Sequence, residues 1–263
     1  TLLIAKHLLG STYAQVGTIT DDKRALDIFW NNLEQAEILN DKKMMSLALH
    51  MIAYTLSSGW DKKDINTVHE YYLRSIKLLE ELGDNNKIAG ALNNIGNCFR
   101  EKEDYSEALQ YYLRSKKIAE ELGDLYTSAY PKWNIGCIYI QYIEYDKALM
   151  ILNDTLIEAQ KVNNREIIAR TCTSIGQILC NIGSYNEAIE KLNHALLVRK
   201  QLGNKAHEET INFELGLSFF RKSNYEKADN YFNKSIGIIK EIGYDTNKEI
   251  ILESSVYIQL ICK

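Results

Sequence analysis

Three columns of residues recur every 40 positions. Tyr105, Tyr145, Tyr185 and Tyr225 form one, Ala108, Ala148, Ala188 and Ala228 a second, and Gly96, Gly136, Gly176 and Gly216 a third. One period shared by three independent columns marks a repeat. A repeat of this length restricts the chain to an array of small units that bury their faces by stacking on one another. Earlier units follow at a longer step: Gly10, Ala53 and Gly96 lie 43 apart, as do Ala25 and Val68. The extra residues fall in the polar stretches around Gly17–Asp22 and Ser57–Asp64, which read as lengthened turns.

Each unit reads as two helices. In the third, Ala89 to Arg100 is the first helix, Glu101 to Asp104 the turn, and Tyr105 to Leu122 the second helix. The second helices repeat a 3.6-residue stripe, as in Ala108, Tyr112, Ser115, Leu122 and Ala188, Leu192, Ala195, Leu202. Gly83, Gly123, Gly203 and Gly243 follow the last apolar residue of a helix, where a left-handed cap is expected, and Asn40 and Asn163 take that place in two units. A single proline, Pro131, and 14 glycines in 263 residues fit helices better than turn-rich β architecture. Mid-helix glycine costs about 1 kcal/mol relative to Ala, so Gly96 and its equivalents imply a close approach by the partner helix. Ala108 and its equivalents, twelve residues on, are the expected facing residues.

Composition and motifs remove several functional classes. With 46% hydrophobic residues and a net charge of −4 the chain is neither disordered nor broadly basic, so no direct nucleic-acid contact is expected. No run reaches the ~18 apolar residues of a membrane span. The chain begins without Met or a signal peptide and reads as part of something longer. Five cysteines, an odd number, read as free thiols of a cytoplasmic protein. His207-Glu208-Glu209-Thr210-Ile211 starts like a zinc-protease helix but lacks the second His, and Cys172 and Cys180 have no second pair. No phosphate loop or nucleophile elbow is present. The expectation is no catalytic residue, no metal and no cofactor. Asn153-Asp154-Thr155 and Asn233-Lys234-Ser235 match a glycosylation sequon but fall inside second helices.

The pattern small, large, Tyr, Ala, large, as in Gly96, Phe99, Tyr105, Ala108 and Tyr112, or Gly136, Tyr139, Tyr145, Ala148 and Leu152, resembles the tetratricopeptide repeat. The resemblance covers nearly the whole chain but departs in period, the common repeat being about 34 residues. The longer units resemble those of kinesin light chain, of bacterial Rap-type and PlcR-type peptide receptors, and of helical sensor domains in bacterial regulators. The resemblance implies an all-α, right-handed superhelical solenoid of about six hairpins, units 1–40, 43–83, 87–123, 127–163, 167–203 and 207–243, with a C-terminal helix over 247–262, together one domain over 1–263.

It also implies that first helices line a concave face. Carried over by position, that face holds Asn93, Asn94, Asn97, Arg100, Tyr130, Trp133, Asn134, Arg170, Gln177, Asn181, Phe213 and Arg221, with His50 a less certain member. Amides both donate and accept, so they suit an extended peptide backbone, with aromatics between them forming side-chain pockets. The alternative is that the amides brace adjacent first helices, and Asn31-Asn32, Asn85-Asn86 and Asn163-Asn164 show that asparagine is common throughout. The sequence reading is a non-enzymatic module binding a protein or extended peptide, part of a bacterial signalling or regulatory protein. Its alternatives are a peptide-sensing transcription or phosphatase regulator and the regulatory part of an enzyme. The apolar residues of 247–262 spread around the helix, so a homodimer through it, or a further element beyond Lys263, is expected.

Overall fold

The computed structural model describes residues 2–16, 19–58, 65–203, 205–242, 256, 257 and 260. Among them are twelve α-helices and no strand. They are α1 Leu2–Val16, α2 Ile19–Ile38, α3 Lys42–Ser58, α4 Ile65–Leu82, α5 Asn85–Glu101, α6 Tyr105–Glu121, α7 Leu125–Gln141, α8 Tyr145–Lys161, α9 Arg165–Asn181, α10 Tyr185–Leu202, α11 Lys205–Arg221 and α12 Tyr225–Ile242. Each odd-numbered helix pairs with the next as a hairpin, and the fold is all-α. The chain packs as two units, residues 1–131 and 132–263, divided inside α7 at Pro131. Proline there removes the N–H that would bond the carbonyl of Thr127. The core of 1–131 runs through Phe29, Leu49, Ile52, Tyr72, Leu92 and Ile95. In 132–263 the last hairpin centres on Phe213, Phe219, Ala228 and Phe232.

The turns repeat one construction. At the end of α4 the amide of Gly83 donates to Glu80 O and that of Asp84 to Leu79 O, at 3.1 and 3.0 Å, closing the helix with Gly83 at φ 68°. Asp84 then caps α5 by accepting from the Lys87 amide at 3.2 Å. The Gly-Asp pair therefore ends one helix and starts the next, which is why α5 begins at Asn85, four residues ahead of the expected Ala89. Asp124 does the same for α7, and Asn163-Asn164 for α9. Asn40 and Asn163 adopt φ 51° and 49°, as their position implies, while Gly243 lies outside the described residues. Within hairpins the left-handed position falls to Glu103, Ile143, Gly183 and Ser223, which nothing in the sequence singled out. The stretch around Gly17–Asp22 is not one long turn, since α2 already begins at Ile19. Gly17, Thr18 and residues 59–64 lie outside the described residues.

The glycine column does bring helices together, but against a different partner from the expected alanine. A Cβ at Gly96 would stand 2.6 Å from the Tyr112 ring, at Gly136 2.6 Å from Leu152, at Gly176 2.7 Å from Leu192 and at Gly216 2.5 Å from Phe232. The facing residue is the large one sixteen positions on; at Gly176 an alanine atom, Ala188 O at 3.3 Å, also comes near. Gly10 repeats the arrangement against Phe29 at 2.7 Å. The large side chain lies flat on bare backbone, and no side chain fits between. Ser75 Oγ donates to Ser46 O at 2.8 Å and Ser115 Oγ to Ala89 O at 2.7 Å, tying second helix to first. The buried stripe ends before the expected fourth column: Leu82, Leu122 and Leu202 are exposed. Its last member is instead the column Leu79, Ala119, Ala159, Arg199 and Ile239, every one buried.

Tyr257 stacks on Phe232 with ring centroids 5.4 Å apart and meets Phe220 edge-on at 5.1 Å. Otherwise the expected helix 247–262, apart from Val256 and Leu260, lies outside the described residues, and with it the proposed dimer contact. Cys98, Cys137, Cys172 and Cys180 are free thiols.

Two substitutions in one hairpin separate backbone approach from propensity. Gly216→Ala should lower stability by about 1–3 kcal/mol through overpacking against Phe232. Gly237→Ala in α12 meets nothing within 4 Å and should raise it by about 0.5–1 kcal/mol. Thermal melts of both variants check the pair. Separately, Ile143 carries a β-branched side chain at φ 59° and is exposed. Ile143→Gly should add about 1 kcal/mol in a denaturant titration, since the left-handed region penalises branched residues most.

Candidate functional site

The polar side chains of the first helices meet their neighbours one hairpin away. In 1–131, Asn94 Nδ2 on α5 donates to His50 Nε2 on α3 at 3.3 Å. Asn97 Oδ1 accepts from the Tyr112 hydroxyl at 2.8 Å. Asn93 and Asn94 line a cavity of about 270 Å³ with His50, Tyr126, Thr127 and Tyr130, and the two tyrosine rings sit 6.0 Å apart. A larger cavity of about 510 Å³ is lined by Leu47, His50, Leu79, Lys87, Gly90 and Thr127 among others. Arg100 is half-buried in the last turn of α5.

In 132–263 the same bracing recurs. Trp133 Nε1 on α7 donates to Ser174 Oγ on α9 at 3.1 Å. The Arg170 guanidinium lies 4.8 Å above the Trp133 ring, and its Nε donates to Glu166 at 2.6 Å. Gln177 on α9 donates to Glu214 on α11 at 2.9 Å, and Arg221 on α11 donates to Asn181 Oδ1 at 2.8 Å and to Cys180 O at 3.2 Å. Asn181 also reaches the Tyr145 hydroxyl at 3.4 Å. Asn134 is buried at 2% exposure. Phe213 is 7% exposed and belongs to the core, its ring against Phe232 and Tyr257.

Of the sequence-derived residues, then, Asn93, Asn94 and Tyr130 share one cavity wall, and Trp133 and Arg170 form one stack. Gln177, Asn181 and Arg221 join α9 to α11, and Phe213 packs inward. Sequence reasoning did not single out Tyr126 or Glu166. Glu166 could have been found as the carboxylate one helical turn before Arg170. Among the described residues no group of three or more His, Cys, Asp or Glu could hold a metal, and no helix is long and apolar enough to cross a membrane.

The sequence model of the tetratricopeptide repeat matches residues 87–156 and 167–241, more than half of the chain. The chain belongs to the tetratricopeptide repeat family. No curated protein sequence matches it significantly. Among solved structures it is similar to BtubC (BKLC) from P. vanneervenii, with TM-score 0.71 and 16% identity over 84% of this chain and 92% of that one. It is similar to a Rap protein complexed with Competence and Sporulation Factor, with TM-score 0.69 and 16% identity over 92% of this chain and 66% of that one. It is also similar to NprR in complex with its cognate peptide NprX, with TM-score 0.66 and 16% identity over 91% and 68%. The chain thus spans about two thirds of the length of the Rap protein and NprR.

One group of this tetratricopeptide repeat protein ties the site to pH. Burial, with the neighbouring charge of His7, lowers the His50 pKa from 6.5 to about 4. The imidazole is therefore neutral, with Nε2 accepting from Asn94. Between pH 6.5 and 4 the unfolded chain binds a proton that the folded chain refuses. Stability must then fall as pH drops through that window, by on the order of 2–3 kcal/mol from this group. His50→Gln keeps a partner for Asn94 and removes the titration. Its unfolding free energy should be flatter over that window than the parent's in guanidinium titrations at several pH values.

Proposed function

We propose that this repeat protein is a non-catalytic module that binds an extended peptide, or a strand-like segment of a partner protein, along its first helices. The observation that carries the reading is the cavity in 1–131 where Asn93 and Asn94 stand beside Tyr126 and Tyr130. Amides there can pair with both groups of a peptide backbone, and the rings offer an apolar wall for a side chain. Two of the similar structures are complexes, one with Competence and Sporulation Factor and one with a cognate peptide, which supports the same class of ligand. The free thiols at Cys98, Cys137, Cys172 and Cys180 suit a reducing compartment and support our reading of the module as cytoplasmic and part of a regulatory protein.

The test is selection of linear peptides displayed against the purified chain. Enriched peptides should bind Asn93→Ala/Tyr130→Ala at least tenfold more weakly, each lost backbone pairing costing about 1–3 kcal/mol. The double variant's melting temperature should stay within a few degrees of the parent. No enrichment, or enriched peptides that bind the double variant unchanged, would remove this site from the reading.

A further inference from the structure

Gly90 is a glycine that the packing does not require. It sits inside α5, where glycine weakens a helix, yet a Cβ there would meet nothing within 4 Å. Gly96, six residues on in the same helix, differs, since it lies under the Tyr112 ring. The same repeat position carries Leu47, Tyr130, Arg170 and Thr210 in other first helices. A side chain missing at this one place leaves open space beside α3. Gly90 lines both the cavity of about 510 Å³ and that of about 270 Å³, and His50 and Thr127 line both with it. The two are adjoining parts of one recess within 1–131.

The recess has no net charge. Asp84 and Lys87 are the charged residues of its larger part, and their side chains pair with each other. His50 is held neutral by burial. The hydroxyls on its wall are already used: Ser75 Oγ donates to Ser46 O at 2.8 Å, Ser46 Oγ to Lys43 O at 2.9 Å, and Thr127 Oγ1 to Asp124 Oδ2 at 2.6 Å. Apolar surface remains, from Leu47 and Leu79 in the larger part and from the Tyr126 and Tyr130 rings in the smaller. One donor remains with it. Nε2 of the neutral His50 ring accepts from Asn94, which puts the ring proton on Nδ1. Among the described residues nothing accepts from that Nδ1–H, and it is not sealed off, since water can reach it. An uncharged recess of this size with one N–H on its wall matches a large apolar side chain that brings a carbonyl oxygen with it. A carboxylate or an ammonium group would lose its water there and find no opposite charge.

We propose that this recess is a specificity pocket for one large apolar side chain of the bound peptide, with a backbone carbonyl of that residue accepting from His50 Nδ1–H and with Gly90 keeping the space open. The proposal rests on the peptide-binding reading above and adds the kind of residue the peptide must carry. It also explains why a helix interior keeps a glycine that no neighbour demands: any side chain at 90 would stabilise the helix and occupy the ligand's place.

The probes are N-acetyl-tryptophanamide and N-acetyl-leucinamide, with the glycine, aspartate and lysine equivalents as controls, titrated into the full chain. The readouts are the amide resonance of Gly90 and the ¹⁵Nδ1 resonance of His50. The two apolar probes should move both resonances saturably, and the three controls should not. Gly90→Leu fills the recess. It should abolish the response of His50 to the apolar probes and bind display-selected peptides about tenfold more weakly or worse, the loss expected when one large apolar side chain is no longer buried. Its melting temperature should rise, because a glycine leaves the helix interior and nothing stands within 4 Å to clash. Gly90→Ala should show the same rise with a smaller loss of binding, and takes over if Gly90→Leu does not melt cooperatively. No saturable shift with either apolar probe, an equal shift with the aspartate or lysine probe, or selected peptides that bind Gly90→Leu as they bind the parent would overturn the pocket. The peptide-binding reading would survive each of these results as long as the display selection enriches. Saturable apolar probes with no enriched peptide would keep the recess as a site for an apolar group and overturn a peptide as its source.

Discussion

The contact on which the hairpins depend is that of a large side chain lying on bare helix backbone. Tyr112 on Gly96, Leu152 on Gly136, Leu192 on Gly176 and Phe232 on Gly216 leave no room for even a Cβ. The cost of a mid-helix glycine, about 1 kcal/mol, is offset by burying a whole Tyr, Leu or Phe side chain at no exposure. This contact fixes how near the two helices of a hairpin come. In the hairpin of Gly96 the Ser115 hydroxyl can then reach a carbonyl of the opposite helix, and the alanine column is buried as filler beneath it.

A hairpin built this way turns its first helix toward the first helices of its neighbours, and polar side chains meet there. His50 with Asn94, Trp133 with Ser174, Gln177 with Glu214 and Arg221 with Asn181 are all pairs between successive first helices. Ser174 and Glu214 are buried, at 7% and 6% exposure, while the other members of these pairs are partly or fully open to water, so breaking a pair costs least where both partners reach solvent, as in Arg221 with Asn181. Bracing and binding are therefore not exclusive uses of the same amide. A ligand that offers a backbone group in place of the neighbour's side chain exchanges one hydrogen bond for another and gains the burial of its own apolar parts.

The repeat, the hairpin and the left-handed caps were legible because each rests on a local rule: a period of 40, a 3.6-residue stripe, and Gly or Asn after the last apolar residue. Reading Gly-Asp only as a stop hid the start of α5, because the N-cap role of Asp84 belongs to the following helix. The choice of Ala108 as the residue facing Gly96 failed for a related reason. Small-on-small is the simpler guess, but helix tilt puts the side chain one turn further on, Tyr112, over the gap. Glu103, Ile143 and Ser223 went unread because nothing in their chemistry advertises φ above zero. At the site, Phe213 was placed by position on a surface, whereas Phe219, Phe232 and Tyr257 make an aromatic cluster that draws it inward. Only the partners around a residue decide such a case, and they come from other turns of the chain.

Arg199 was overlooked for the opposite reason, although the sequence carried its signal. A stacked array satisfies each column locally, since a unit touches only its neighbours. One member can then depart from an apolar column without disturbing the rest, and the cost stays in one hairpin. Such a departure has no explanation in the repeat itself: Leu79, Ala119, Ala159 and Ile239 show that the position needs no charge. Phe213 departs too, in the column of Asn93, Trp133 and Thr173, but Tyr257 and Phe232 account for it as packing. For Arg199, packing and Glu166 account for part of the guanidinium and leave the Nε–H over. In a repeat protein a broken column whose break is not repaired from within the fold marks a requirement that one unit carries and its neighbours do not.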